Sequence, residues 1–227
     1  VLQVKRNEAA RNPAVGVLGQ LPGAEATRAI LDGLAGAPAD VRALLLGALK
    51  RRDPQLVTAV LLDSLADEDE GVRQAAEEAL VTLPPDAVRG PALARLDNSS
   101  AAAKASLVRV LGRAPEPGLL LTFLSAAKSP DEALALAGVE ALGTLGDKAT
   151  AGLLANLAGN GAEPVKAAAV RSYVQVGDKL RGDDVAGALA IYRKALKLAP
   201  TDEERKLALE GLGEVGRPES LPDVLPY

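Results

Sequence analysis

Histidine, cysteine, methionine and tryptophan are all absent from the chain, and each absence removes a class of chemistry. Without histidine there is no Ser-His-Asp or Cys-His nucleophile, no HExxH zinc site and no imidazole to move protons near neutral pH. Without cysteine there is neither disulfide nor thiolate, which leaves the compartment open, because secreted proteins can also lack cysteine. Aromatic residues are nearly missing: Phe123, Tyr173, Tyr192 and Tyr227 are the full set. A core without them must be built of Leu, Val and Ala, a palette that favours closely stacked helices over a β-sandwich. The longest apolar run, Gly118 to Ala127, is half of the roughly 20 residues that span a bilayer. No signal peptide is evident. The lack of methionine even at position 1 leads to the expectation of a processed or excised piece of a longer chain.

An excess of one charge is missing as well. The net charge is −4, with 14 basic and 14 acidic residues in 1–113 against 12 and 16 in 114–227. A general nucleic-acid binder needs a basic excess to displace counterions and usually aromatics for stacking. Neither nucleic acid nor membrane is therefore expected as a partner, and the protein is expected to be soluble, cytoplasmic or periplasmic.

What is present is a repeat. Glu70 to Leu83 reads EGVRQAAEEALVTL, an amphipathic helix whose Leu80 belongs to a column spaced by 31: Leu18, Leu49, Leu80, Leu111, Leu142 and Tyr173. Four residues earlier stand Ala14, Leu45, Ala76, Leu107, Gly138 and Ala169, and eight earlier Ala10, Val41, Val72, Ala103, Leu134 and Val165. The i, i+4, i+8 spacing is one face of a helix, the buried stripe of the second helix in each unit. A first helix shows the same register, with Ile30, Leu61, Ala92, Phe123 and Leu154 beside Leu31, Leu62, Leu93, Leu124 and Ala155. Each unit is thus predicted to be a helix, a short turn and a second helix.

Prolines 38, 54, 84, 85, 115, 117, 130, 164 and 200 fall between the predicted helices, where a first-turn proline is tolerated; Pro13 and Pro91 lie within early turns. From Val165 to its counterpart Glu204 the interval is 39, and Leu212 and Val215 then resume the columns. The expectation is a lengthened repeat over 178–203, its extra residues between Gly182 and Pro200 extending a first helix. Ala188, Tyr192, Ala195 and Pro200 have the spacing of the second helix of a tetratricopeptide repeat. Both ends fall inside a unit. Val1 to Val4 would be the tail of one first helix and Ser220 to Tyr227 the start of another, so 1–227 is expected to be a single array excerpted from a longer solenoid, its uncapped ends fraying or self-associating.

The second-helix pattern Val72-Arg73-x2-Ala76-x2-Ala79-Leu80-x2-Leu83, preceded by Asp67-x-Asp69, resembles the HEAT repeat, particularly its short bacterial form of about 30 residues. The resemblance implies an all-α fold, a right-handed α-α superhelix of the HEAT/armadillo type, with second helices lining a concave surface that usually binds protein. It also implies a ladder between an Asp ahead of the second helix and an Arg upon it. The basic column here is Arg11, Arg42, Arg73, Lys104, Lys166 and Arg205, with Ala135 as a gap. Six residues earlier stand Asp67, Asn98, Ser129 and Asn160, acceptors suited to helix capping, whereas Arg42 has Gly36 in that place.

Three other signals suggest chemistry and are read as structure. Gly211-Leu-Gly213-Glu-Val-Gly216 has the spacing of a dinucleotide fingerprint, but that motif works between a strand and a helix, and here a helix precedes it while Leu212 sits in the Leu80 column. Asp67-Glu-Asp-Glu70 has Val72, an interior residue, where a calcium loop needs glycine, so these acids are expected to answer a helix dipole. Asn98-Ser-Ser100 matches a glycosylation acceptor, a tripeptide common by chance.

One column alternates in sign: Glu78, Arg109, Glu140, Arg171 and Glu210. Stacked helices are about one helix diameter apart, so these side chains are expected to pair across repeats, some within about 4 Å. Together with Gln74 they form the candidate partner-binding set. The expected function is a non-enzymatic scaffold for protein–protein interaction, without cofactor or metal. Two alternatives remain: a HEAT-like enzyme of phycobilin lyase-like or DNA glycosylase-like type, and a purely structural segment of a larger protein. The identity of a protein partner is not encoded in these patterns.

Overall fold

A computed structural model of the chain describes residues 15–216, and every regular element among the described residues is helical. Val1 to Val4, Ala10, Arg11, Pro13, Ala14 and Ser220 to Tyr227 lie outside the described residues. The chain divides into two compact units, Val1–Leu111 and Gly112–Tyr227. In the first, residues 15–20 are helical. They precede the pairs α1 (Ala24–Leu34) and α2 (Ala39–Gly47), α3 (Pro54–Ser64) and α4 (Glu70–Leu80), and α5 (Pro85–Leu96) and α6 (Ala101–Gly112), the last ending at the boundary. In the second, a short 3₁₀ turn (Pro117–Leu119) leads into α7 (Leu120–Ala127), paired with α8 (Glu132–Leu145). The pairs α9 (Lys148–Asn160) with α10 (Glu163–Leu180) and α11 (Val185–Leu198) with α12 (Asp202–Val215) follow.

Local chemistry sets these limits. Pro54 and Pro85 open α3 and α5 at their first turns, where the missing amide costs nothing. Aspartates 53, 69, 131, 147 and 184 cap α3, α4, α8, α9 and α11, each carboxylate accepting an otherwise orphaned first-turn amide. Pro91 stands inside α5, and the helix continues through it.

Within each unit of the chain the packing has two layers. First helices meet first helices (α3 with α5, α9 with α11), second helices meet second helices (α2 with α4, α8 with α10, α10 with α12), and contact between the two members closes the pairs α1–α2, α3–α4, α7–α8, α9–α10 and α11–α12. The columns read from the sequence form the seams: Leu45, Leu49, Ala76, Leu80, Leu107, Leu111, Leu142, Ala169, Tyr173, Ala208 and Leu212 are all buried, as are Ile30, Leu61, Ala92, Phe123 and Leu154 on the first helices. Contact is close enough to require missing side chains. A Cβ on Gly138 would collide with the carbonyl of Phe123 and the amide of Ala127, so α8 rests on α7 backbone to backbone.

In the C-terminal unit the largest buried residue, Tyr192, organises three helices. Its ring on α11 lies between Gly177 of α10, where a Cβ would come within 2.8 Å of the ring, and Gly211 of α12, where it would collide outright. The phenol, buried with the ring, donates to the Asp178 carboxylate at 2.7 Å. Gly211 and Gly213 therefore lie inside α12, and Gly216, at φ 62°, ends that helix in the left-handed conformation that suits glycine. The dinucleotide-like spacing is accounted for by ring packing and a helix cap. As for the 39-residue interval, α10 has 18 residues and runs to Leu180, while α11 has 14 and α9 has 13. The helix α10 is thus the longest of the C-terminal unit, and α11 fills most of the stretch between Gly182 and Pro200.

Because each seam is shared only with adjacent helices, a cavity in one is felt nearby first. Leu80→Ala is expected to cost about 2–5 kcal/mol and to accelerate amide exchange in α2, α3 and α4 before α10 to α12. Exchange rising equally in every helix would contradict this arrangement.

Candidate functional site

In each unit the second helices carry candidate residues on the polar side beside their buried seams. Gln74 and Glu78 lie one turn apart on the exposed side of α4, their side chains 3.5 Å apart. Arg109 is half-buried on α6 and Glu140 is exposed on α8, where Thr144 donates its hydroxyl to the Glu140 carbonyl. Arg171 and Glu210 lie exposed on α10 and α12. Gln74, Glu78 and Arg109 thus belong to the first unit, and the other three to the second.

The alternating column pairs differently from the sequence expectation. Glu78 binds Lys50 at 2.9 Å, Glu210 binds Lys206 one turn earlier on its own helix, and Arg171 binds Glu204. Arg109 makes a two-point contact with Glu77 through Nε at 3.0 Å and Nη2 at 2.8 Å. The geometry of helical side chains explains the shift. They lean toward the N-terminus of their helix, so a long base reaches a level earlier than its own column. Arg171 stands two residues before Tyr173 in its column, and its acceptor Glu204 eight before Leu212.

The same rule completes the ladder at Arg42. Rather than an acceptor of its own unit, Arg42 takes the Asp of the next: Nη2 and Nε hold Asp67 at 2.8 and 3.1 Å, and Nη1 donates to the Ala37 carbonyl. Burial pushes the Asp67 carboxyl up, but hydrogen bonds from Arg42 and the Asp69 amide outweigh it, and the group lies below its ordinary range. Arg73 meanwhile donates to the carbonyls of Asp67 and Glu68. Nor are the residues six before the base the helix caps. Asp67 and Ser129 accept the amides of Asp69 and Asp131, and those aspartates cap α4 and α8. Asp67 and Asp69 of the acidic tetrad are therefore engaged by the ladder and by capping.

Two contacts were hidden from sequence reading. Arg52 reaches back to the carbonyls of Leu18, Gly19 and Leu21 at 2.7, 3.0 and 2.6 Å, and Lys179 donates to the Thr144 carbonyl of α8. Each places a cation on the carbonyl-rich C-terminal end of the preceding second helix, where the dipole favours it. No motif marks them, since the acceptors are backbone.

Glu204 is the other omission. It occupies the apolar column of Val72 and Val165, yet is a buried carboxylate at 1% exposure. The signal was in the sequence: Thr201-x-x-Glu204 is a capping box. Thr201 accepts the Glu203 amide and donates its hydroxyl to Glu204, whose other oxygen receives Arg171. Burial raises this carboxyl's pKa, while the bonds from Thr201 and Arg171 lower it further, leaving it below 4.5. A depressed folded value stabilises above the unfolded pKa, and that contribution is lost as pH falls through the folded value. The urea midpoint of the C-terminal unit is expected to drop as pH descends below about 4.5, and Glu204→Gln should be weaker at neutral pH with a flatter acid profile. A parallel profile for both proteins would exclude Glu204 as the linked group.

Among the described residues no group of three acids could hold a metal ion, and no helix is long and apolar enough to cross a membrane. No curated protein matches the sequence. The family model for HEAT repeats matches residues 90–173. That stretch holds most of α5 and all of α6 to α9, and it ends at Tyr173 within α10, so it carries the columns of Leu111, Leu142 and Tyr173. Together with the recurring register and the two-layer stacking of helix pairs within each unit, the match supports a HEAT-repeat family for this chain.

Proposed function

We propose that the protein is a non-enzymatic scaffold that binds a protein partner through the surface of its second helices, the surface the HEAT resemblance makes concave. The observation that carries this reading is the division of labour on those helices. Their apolar columns are consumed by packing, while Gln74, Glu78, Glu140, Arg171 and Glu210 stay exposed beside them. The acids and bases of these helices are spread over successive helices, and their neighbours are ion-pair partners on the same or an adjacent level.

Arg109 serves this face by supporting it. Its two-point hold on Glu77 fixes α6 against α4, a geometry that lysine would not reproduce. The 31-residue register supports reading 1–227 as one array, with 178–203 as its lengthened repeat.

The test is site-specific photo-crosslinking. A photoreactive residue at positions 74, 140 or 210 is expected to trap a defined protein adduct in a native extract, whereas the same residue at Ala35 or Gly118, in exposed turns, should not. Equal adducts from both sets, or none from the second-helix set, would reject the proposal.

A further inference from the structure

Charge in the C-terminal unit is sorted by layer. None of the chain's 30 acids lies on the first helices α7, α9 and α11, which carry Lys148, Arg193, Lys194 and Lys197. The second helices α8, α10 and α12 hold nine acids and five bases. The N-terminal unit shows no such sorting: α1, α3 and α5 alone carry Glu25, Asp32, Asp63 and Asp86 beside Arg28, Arg89 and Arg95. One layer of a net-acidic protein is therefore cationic.

Its cations are not all spent within the fold. Lys148 pairs with Asp184 in the turn before α11. Lys194 and Lys197, one turn apart on α11, are exposed, and no ion pair occupies either among the described residues. A Cβ on Gly159 would touch Leu198 at 3.9 Å, which sets the last turn of α9 beside the last turn of α11. Exposed Asn156 and Asn160 lie on that last stretch of α9, and the Asn160 amide donates to the Asn156 carbonyl.

We propose that this outer face of α9 and α11 docks an acidic, Asp/Glu-rich segment of a partner protein, with Lys194 and Lys197 supplying the charge and the two asparagines hydrogen bonds. Charge complementarity selects the partner. A nucleic acid would want stacking aromatics, but the one aromatic on α11, Tyr192, is wholly buried. An anionic bilayer would want bulky apolar side chains between the cations, and here stand Ala186 and Ala190. This surface is on the layer opposite the second-helix face and stands or falls separately from it.

Fluorescence anisotropy of a labelled Glu-rich peptide, titrated with the full chain, tests the proposal. Binding is expected at about 20 mM salt and should weaken at least about tenfold by about 200 mM. Lys194→Glu with Lys197→Glu should abolish it, and Lys194→Ala with Lys197→Ala should weaken it about tenfold, with unchanged thermal melts confirming that both proteins fold. The control Arg28→Glu with Arg113→Glu makes the same change in net charge and should bind normally. Equal loss in the control, no loss in the lysine variants, or tighter binding of single-stranded RNA or phosphatidylserine vesicles through the same lysines would overturn it.

Discussion

Close approach between successive second helices is the constraint on which the rest depends. With almost no aromatic residues, the chain has little bulk per side chain to bury, and its stability must come from bringing backbones near enough for Leu, Val and Ala to interlock. That demand explains the glycines at 138, 143, 177 and 211, whose missing Cβ atoms leave room for a neighbouring helix or for the Tyr192 ring. It also explains the ion pairs. Once helices lie so near, their charged flanks must be reconciled, and Arg42 with Asp67, Arg109 with Glu77 and Arg171 with Glu204 do so from one helix to the next.

The periodic part of this was legible without coordinates. A column repeated every 31 residues states both the helix pair and its buried stripe, because burial of Leu80, Leu111 and Leu142 is dictated by spacing alone. Less legible was anything that depends on direction or height. Reading the Glu78, Arg109, Glu140, Arg171 and Glu210 column as mutual partners treats side chains as points at their Cα level. They lean instead, and the acceptors fall off the column. Contacts to backbone carbonyls, such as those of Arg52 and Lys179, leave no trace in composition at the acceptor end.

Glu204 shows a different kind of failure. Its position says apolar and its local motif says cap, and the motif prevails because a capping carboxylate placed at the start of α12 can satisfy Thr201 and Arg171 together. The charge is tolerated in the seam only with those partners. A column thus fixes where a side chain goes, while the partners within reach decide what it can be.

Tyr192 carries a consequence on the alkaline side. Burial, and then the hydrogen bond to Asp178, push its phenol well above the ordinary tyrosine value, and burial raises Tyr173 as well. In the opened chain both phenols would ionise near pH 10. Folding of this unit therefore holds protons that unfolding releases, and stability should decline once pH rises past that point. The chain has no tryptophan, so phenolate absorbance in the ultraviolet becomes a built-in indicator: the two rings turn to phenolate as the stack around them separates.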